Sequence, residues 1–314
     1  MSTTAASAPG ERALLTVCVC TYKRPEVLRI LLGRLASCAE GASEVAEVGV
    51  VVVDDDPAAS AATVAQAAGS SFARGVRYEA TGSGNVSTAR NRAIELGIED
   101  ADWLATIDDD CLPSEAWLRE LVVVQRRTGA ECVSGACDTE LPPEAPRWLR
   151  EQPFHDDATT GTDGDAISMG YMKNSLFSSL FITEHGLRFD PRFGEIGGED
   201  AMFFLSAHAV GMHHVYAAHA LVREQLPAER ANLRYQMRRR FWYGNTEAVT
   251  SIASGRASRA RMAASAGTMA MSGVLNPVRR AARGQRPQLL FHASELLRAA
   301  GRLLGAAGVK LEHR

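Results

Sequence analysis

The sequence predicts an α/β protein with a Rossmann-like, mostly parallel sheet that is flanked by helices. Three observations lead to this fold class. Short apolar runs rich in β-branched residues alternate with segments whose apolar residues recur at helical spacing. Clusters of polar residues follow directly where the apolar runs end. The composition, with 46% apolar and 23% charged residues in 314, is typical of a globular chain.

The first strand–helix–strand unit lies within residues 14–53. Residues 14–20 (LLTVCVC) and 44–53 (EVAEVGVVVV) are apolar and rich in valine, which predicts two buried parallel strands. Residues 25–38 between them have leucines at helical spacing, and Pro25 suits the first position of a helix.

The same alternation continues along the chain, which favours a doubly wound sheet. Helices are predicted over residues 58–68, 87–96, 114–127 and 201–210, and strands over residues 76–79, 103–107 and 214–222. Residues 142–165 are rich in Pro and Asp and predict a loop with a short helix around Trp148. From residue 229 onward the chain is predicted to be helical.

The first residues and the cysteines indicate an intracellular chain. Residues 1–12 (MSTTAASAPGER) lack the basic start and apolar stretch of a secretory signal, which predicts a flexible tail and a cytoplasmic protein. The six cysteines are scattered without a CxxC pair. Buried free thiols are therefore favoured over disulfides or a zinc site.

The overall charge of −3 hides a strong asymmetry. Residues 1–229 contain 18 Lys and Arg against 34 Asp and Glu, whereas residues 230–314 contain 16 against 3. The two parts are expected to face different partners.

Acidic side chains follow two of the predicted strands. Residues 54–56 and 108–110 are both Asp-Asp-Asp, and the first strand is followed by Thr21 and Arg24. Ligands bind at the carboxyl ends of strands in such sheets. The chain has no GxGxxG or GxxxxGK[ST] motif, so a glycine-rich helix start does not hold the phosphates of a ligand.

The spacing of Asp108 and Asp110 allows both carboxylates to bind one divalent cation that bridges a diphosphate. Oxygen ligands of this kind suit Mg²⁺ or Mn²⁺. A solvated acidic turn is the alternative. The second acidic cluster favours the metal site, because like charges gathered at one sheet edge are costly unless a cation or a ligand rich in hydrogen-bond donors offsets them.

The segment SGNVSTARNRA begins a predicted helix whose first turn faces the same edge. Arg90 is placed there to meet a diphosphate or a carboxylate. A solvated helix face is the alternative for this arginine.

Five motifs in this order resemble family 2 glycosyltransferases with the GT-A fold: VCVCTYKRP, VVVVDDDP, SGNVSTARNRAIELG, DWLATIDDDCLPSEAWL and GGEDAMFFLSAHAVG. They cover roughly residues 14–225. The resemblance implies a nucleotide-sugar site formed by Thr21, Arg24, Asp55, Arg90, Asn91, Asp108 and Asp109. It implies that Asp55 contacts the nucleobase and that Asp108 and Asp110 form the DxD metal site. Asp56-Pro57 departs from the Gly-Ser that the family often has, which leaves the ribose contacts open.

An inverting transfer needs a carboxylate that takes the proton of the acceptor hydroxyl. Glu199 and Asp200 follow two glycines, and the first turn of a helix favours their ionised form. The resemblance assigns Asp200 as the base and Glu199 to acceptor or sugar binding, and adjacent carboxylates could exchange these roles. An acidic helix start is the structural alternative.

Further site residues are predicted from the resemblance alone. His219, or alternatively Glu224, would complete the metal shell, although packed or exposed side chains are the more frequent interpretation of the histidines that follow the predicted helix over residues 201–210. Asn174 and Gly198 are expected on the acceptor side.

The basic C-terminal part has two open interpretations. Amphipathic helices could lie on an anionic membrane surface near a lipid-linked acceptor, or a helical cap could pack on the acidic part of the chain. The apolar run of 14 residues that begins at Met262 (MAASAGTMAMSGVL) is too short to span a bilayer. No recognisable motif indicates nucleic-acid binding.

These observations predict a cytoplasmic hexosyl-type glycosyltransferase, with peripheral attachment at the inner face of the membrane as an open question. The predicted domains are 13–228, with the donor site in 13–140 and the acceptor and base region in 141–228, and a helical extension at 229–314. The donor is expected to be a UDP-sugar and the acceptor a sugar, a lipid-linked saccharide or a natural product. A sugar nucleotidyltransferase and an inactive binding partner are the alternatives. The oligomeric state stays open.

Overall fold

The computed structural model describes residues 11–155 and 160–312. Residues 1–10 of the predicted tail and residues 156–159 of the predicted loop lie outside the described residues.

The described chain forms one eight-stranded sheet in the order β3-β2-β1-β4-β7-β6-β8-β5. The strands are β1 (Ala13–Thr21), β2 (Ala46–Asp54), β3 (Val76–Ala80), β4 (Trp103–Asp108), β5 (Cys111–Pro113), β6 (Cys132–Glu140), β7 (Ser175–Ser178) and β8 (His214–Gln225). Strands β1 to β4 are parallel, whereas β7 runs antiparallel to β4 and β6, and β5 runs antiparallel to β8. The α/β class is confirmed, and the sheet is mixed rather than mostly parallel.

Helices flank the sheet and form the C-terminal part. They are α1 (Pro25–Gly41), α2 (Ala62–Ala67), α3 (Val86–Gly97), α4 (Trp117–Thr128), α5 (Arg147–Glu151), α6 (Ser179–Glu184), α7 (Glu199–Ala209), α8 (Leu233–Ala253), α9 (Arg259–Ala282) and α10 (Leu289–Ala306). The predicted helices and the short helix around Trp148 are confirmed, with shifted ends.

Helix α2 is shorter than predicted because two aspartates hold the turn before it. The Asp56 carboxylate accepts the backbone N–H of Ala58 at 3.1 Å, and the Asp54 carboxylate accepts that of Ala61 at 2.9 Å. Side-chain acceptors of this kind give the backbone an alternative to helical hydrogen bonds.

Three strands were not predicted. Strands β5 and β7 contain only three and four residues, too few for an alternating pattern. Strand β6 begins with buried residues but ends on polar ones (CDTE), so its sequence as a whole does not show the apolar run of a buried strand. All three pair antiparallel, so the sequence pattern of the parallel strands does not extend to them.

The described chain divides into two compact units. The first unit contains residues 11–138, 160–194 and 203–224, and the second contains residues 139–155, 195–202 and 225–312. Residues 139–155 and 195–202 thus belong to the same unit as the C-terminal helices. The predicted division at residue 228 had placed both segments in the catalytic domain.

The first unit has two buried apolar clusters. One contains the leucines of α1, at positions 28, 31, 32 and 35, together with Trp117 of α4 and the valines of β1 and β2. The other contains α3 residues and the phenylalanines of α7. Both clusters contain side chains of β1 and β2, which explains the continuous apolar runs.

The second unit depends on close contact between α8 and α10. A Cβ atom on Gly244 would lie 1.8 Å from the carbonyl oxygen of Arg298, and one on Gly301 would lie 1.9 Å from that of Phe241. Arg240 is buried beneath α10, where it pairs with Glu295. The two glycines therefore allow a helix spacing that any larger residue would prevent.

Two further observations concern the cysteines and the length of the helices. All six cysteines are free thiols, and five are buried, as predicted. Within residues 11–155 and 160–312, none of the helices has the length and apolar character needed to cross a lipid bilayer.

Candidate active site

The carboxyl ends of β1, β2 and β4 meet at one edge of the sheet. The strand register places Thr21 beside Asp54 and Cys20 beside Asp108. A cavity of about 510 Å³ opens at this edge. Its lining includes Thr21, Arg24, Asp55, Arg90, Asp108 and Asp110. The structure thus brings together side chains that lie almost 90 positions apart in the sequence.

Two arginines form ion pairs with the three aspartates at the end of β4, and a threonine donates a hydrogen bond to one of them. Asp109 accepts hydrogen bonds from Thr21 Oγ1 at 2.8 Å and from Arg24 at 3.1 Å. Arg24 also reaches Asp110 at 3.2 Å, and Arg90 reaches Asp108 at 3.1 Å. These ion pairs use one oxygen of Asp108 and one of Asp110, so the second oxygen of each carboxylate does not take part in them.

The aspartates remain electrostatically strained despite these partners. Burial, together with the charges of Asp108, Asp109 and Glu224, raises the pKa of Asp110 to about 6, although Arg24 opposes the shift. Burial also raises the pKa of Asp109, against the stabilising contacts from Thr21 and Arg24. An added cation would therefore be attracted to this group of carboxylates.

Asp55 is held in a fixed orientation at the other end of the cavity. One of its oxygens accepts from Thr81 Oγ1 at 2.8 Å and from both the backbone N–H and the hydroxyl of Ser83, at 2.6 and 2.7 Å. Its neighbour Asp54 is fully buried and accepts from the Tyr78 hydroxyl, so Asp54 supports the framework. The structure therefore gives the two adjacent aspartates different environments, in line with the choice of Asp55 from the resemblance.

Arg90 and Asn91, which are adjacent on α3, have different surroundings. Arg90 lines the cavity and lies over the Phe189 ring, with 5.6 Å between the guanidinium carbon and the ring centroid. The Asn91 amide exchanges two 2.8 Å hydrogen bonds with the backbone of Phe189. Asn91 thus anchors α3 to the segment after α6. It is not among the residues that line the cavity, in contrast to the nucleotide-sugar contact expected from the resemblance.

An ion pair that was not predicted lies beside the acidic triplet. Strand β8 places Glu224 opposite Cys111, and the Glu224 carboxylate accepts from Lys173. Burial lowers the pKa of Lys173, but the charge of Glu224 outweighs this effect, so that the pKa is raised overall. No sequence motif includes Lys173. The ion pair lies near Asp110 because β5 pairs with β8, a long-range contact that the sequence does not reveal.

His219 lies on β8 with an exposed side chain. It precedes Glu224 by five positions, which is about 16 Å along a strand and places the two side chains on opposite faces. Glu224, the alternative ligand in the sequence analysis, is therefore the residue that the structure places beside Asp110, and His219 is not.

Asn174, expected on the acceptor side, is fully buried. Its Oδ1 accepts from the Trp117 indole at 2.7 Å, and its Nδ2 donates to the carbonyl oxygens of Ala136 and Ala220, each at 2.7 Å. The amide is satisfied by the protein itself, so Asn174 joins strands and helix α4 in the framework and is not part of the acceptor site proposed below.

Gly198, Glu199 and Asp200 lie in the second unit at the start of α7. Gly197 and Gly198 have φ angles of 76° and 90°, which favour glycine. A Cβ atom on Gly198 would lie 2.6 Å from the methyl groups of both Thr246 and Thr250 on α8. The backbone before the acidic pair is thus fixed against α8, and both carboxylates lie in the first helical turn.

The mixed sheet with flanking helices and acidic side chains at its parallel strand ends is the arrangement of a GT-A fold. The chain belongs to the family described as glycosyltransferase like family 2, whose model matches residues 11–245. It is therefore a glycosyltransferase enzyme.

A protein relative and two solved structures are similar to this chain. The succinoglycan biosynthesis protein ExoM of Rhizobium meliloti (strain 1021) is 33% identical over 238 residues, which cover 76% of this chain and 75% of ExoM. The crystal structure of S. aureus TarS in complex with UDP has a TM-score of 0.53 at 13% identity, over 94% of this chain and 92% of that one. TarS in complex with UDP-GlcNAc has a TM-score of 0.51 at 12% identity, over 68% of this chain and 59% of that one.

Proposed function

We propose that this enzyme transfers a sugar from a nucleoside diphosphate donor to an acceptor hydroxyl by a single displacement that inverts the anomeric centre. The observation that carries the proposal is the convergence of Asp55, Arg90, Asp108 and Asp110 on one cavity at the strand ends. This set offers a fixed carboxylate for a nucleobase, a guanidinium for phosphate and two oxygen ligands for a cation.

UDP is the nucleotide to test first, because UDP and UDP-GlcNAc are the ligands of the TarS structures. Asp55 suits base recognition, since Thr81 and Ser83 occupy only one of its oxygens. Thr21 and Arg24 line the same cavity. Uracil presents an N–H donor that a carboxylate oxygen can accept.

The metal is Mg²⁺ or Mn²⁺ in this proposal, held by Asp108 and Asp110. Their oxygen ligands fit a hard cation, and the negative charges of Asp108, Asp109 and Glu224 around Asp110 support the binding of a cation there. In the part of the chain that the structure describes, no three His, Cys, Asp or Glu side chains form a metal site by themselves. The remaining ligands would come from the donor diphosphate and from water. When bound, the cation would neutralise the charge that develops on the departing nucleoside diphosphate.

Asp200 is the proposed base. As the acceptor oxygen bonds to the anomeric carbon, the bond from that carbon to the diphosphate oxygen breaks and the hydroxyl proton passes to the Asp200 carboxylate. Arg90 is positioned to offset charge on the diphosphate. Glu199 binds the acceptor or the transferred sugar. ExoM is named for succinoglycan biosynthesis, which favours a saccharide hydroxyl as the acceptor here as well.

The test is a calorimetric titration of the protein with UDP, GDP, dTDP and CDP, first with Mn²⁺ and then with EDTA. Micromolar binding of one nucleotide that disappears with EDTA is the expected result, and a nuclear magnetic resonance assay of the product would then establish the anomeric configuration. Failure of all four nucleotides to bind in the presence of Mn²⁺ would overturn the assignment of the donor site. A product that retains the donor configuration would overturn the single displacement.

A further inference from the structure

The second unit has an exposed apolar stripe on helix α9. Met271, Val274, Leu275 and Val278 are spaced by three and four positions, so they share one helix face. Their exposed fractions are 63%, 56%, 39% and 64%, which are high for side chains of this size. The residues between Arg261 and Arg279 include no charged side chain. We call these four residues the α9 stripe.

The opposite face of α9 is buried against the rest of the second unit. Met262, Ala266 and Gly273 are its buried residues. A Cβ atom on Gly273 would lie 2.9 Å from a methyl group of Leu296 on α10, which shows how closely the two helices pack. The stripe is therefore a second apolar face that the core of this unit does not use.

Arginines bracket the stripe. Residues 248–294 contain seven arginines and no Asp or Glu. They are Arg256, Arg259, Arg261, Arg279, Arg280, Arg283 and Arg286. Within the described residues, the ion pairs of this group are limited to the one between Arg286 and Glu151. An apolar face with uncompensated positive charge at both ends is suited to an anionic surface that also accepts apolar side chains.

We propose that helix α9 docks the enzyme on an anionic lipid bilayer, with the α9 stripe inserted among the acyl chains near the headgroups and the arginines against lipid phosphates. A second copy of this chain fits less well, because an isologous contact through α9 would bring the same acid-free arginine clusters together. A nucleic acid would match the arginines but not the apolar stripe. The proposal concerns the second unit alone and does not depend on the donor or on the acceptor.

The test is sedimentation of the full chain with vesicles of phosphatidylcholine containing a quarter phosphatidylglycerol, compared with pure phosphatidylcholine vesicles. The protein should pellet with the anionic vesicles and should be released in about 1 M salt, where screening is nearly complete. Arg279→Gln with Arg283→Gln should lower the partition coefficient roughly thirty-fold. Val274→Asp with Val278→Asp should lower it at least as much.

Matched controls lie in the first unit. Ile30→Asp with Val123→Asp changes two exposed apolar side chains, and Arg29→Gln with Arg34→Gln removes two exposed charges. Both should pellet like the unchanged protein, and every variant should retain nucleotide binding and its melting temperature. Equal binding of the α9 variants, or no pelleting with anionic vesicles, would overturn the proposal. So would a dimer in sedimentation equilibrium that Val274→Asp with Val278→Asp dissociates, or binding to duplex DNA that depends on the arginines alone.

Discussion

At Asp110 two requirements oppose each other. The carboxylate lies beside Asp108 and Asp109. Burial is the larger cause and these charges the smaller cause of the rise in its pKa to about 6. A metal ligand, however, must be ionised at working pH. The balance between Arg24, which favours the ionised form, and the acidic neighbours therefore makes this residue sensitive to pH near neutrality.

Metal-dependent nucleotide affinity is expected to fall as the pH is lowered through about 6, because Asp110 then becomes protonated and neutral. Asp110→Ala should weaken that affinity roughly tenfold or more at neutral pH. The measurement is titration calorimetry with Mn²⁺ at a series of pH values.

The nucleotide itself contributes to this pH dependence, because a terminal phosphate also binds a proton near pH 6. The unchanged protein should therefore show a steeper fall than Asp110→Ala. Glu99→Ala, which removes an exposed carboxylate of the first unit, is the matched control and should behave like the unchanged protein. Equal slopes for all three would contradict a role of Asp110 in metal binding.

Asp200→Asn should reduce the rate of transfer by a factor on the order of 100 to 10,000, the usual contribution of a general base. Donor affinity should stay unchanged, because the donor cavity is lined by residues of the first unit. The measurement combines kcat from a transfer assay with a nucleotide titration.

Glu199→Gln is the adjacent control. It keeps the size of the side chain and the first-turn position, and it should raise KM for the acceptor more than it lowers kcat. The reverse pattern, with the greater loss of kcat in Glu199→Gln, would assign the base to Glu199 instead.

Among the secondary-structure elements, the short antiparallel strand β5 and the start of α3 position side chains at the site. Asn85 caps α3, since its Oδ1 accepts the Thr88 N–H at 3.2 Å, and its Nδ2 donates to the carbonyl oxygen of Pro191 at 3.0 Å. This cap directs the first turns of α3, and with them Arg90, toward the strand ends. Strand β5 similarly carries the acidic triplet to the edge beside β8.

Asn174→Ala should destabilise the first unit by about 3 kcal/mol, because the Trp117 indole and two buried carbonyls lose their partner. The free energy of unfolding from urea titration measures this effect. Asn276→Ala on α9, a half-buried amide, should change stability by less than about 0.5 kcal/mol. The folded fraction of Asn174→Ala should bind nucleotide normally, and a selective loss of acceptor affinity would instead restore an acceptor role for Asn174.

At the scale of the whole molecule, charge separates the two parts of the chain. The acidic residues gather before residue 230, and the arginine-rich segment follows it. In our proposals, the acidic strand ends bind a divalent cation, and the arginines around α9 contact an anionic lipid surface. The near-neutral total of −3 therefore describes neither part.

Nucleotide with Mn²⁺ at about one hundred times its dissociation constant should stabilise the first unit by about 2.7 kcal/mol. The midpoint of urea unfolding, followed by a probe in that unit, measures the shift. EDTA should remove it, and Asp110→Ala should show a much smaller shift. Arg279→Gln with Arg283→Gln should retain the full shift, because α9 belongs to the second unit. A shift that survives EDTA would contradict the metal-dependent donor site.

From the sequence alone we predicted the α/β class, the strand ends with their acidic clusters, and the five motifs that place the chain in its family. These features are local: strand propensity, helical spacing and the residues that directly follow a strand are all read within a short window. The leucines of α1 and the free thiols were predicted for the same reason, since burial of uninterrupted apolar runs needs no knowledge of partners.

The contacts between polar residues that are distant in sequence became known only from the three-dimensional packing. The resemblance selected Asp55 over Asp54, and the structure supplies the physical difference: Asp54 is buried beside Tyr78, whereas Asp55 lines the cavity. The pairing of β5 with β8 brings Glu224 to Asp110, and long-range contacts bury Asn174. The side-chain face of a strand residue and the partners of a buried amide depend on register and packing between distant segments, which a local pattern does not contain.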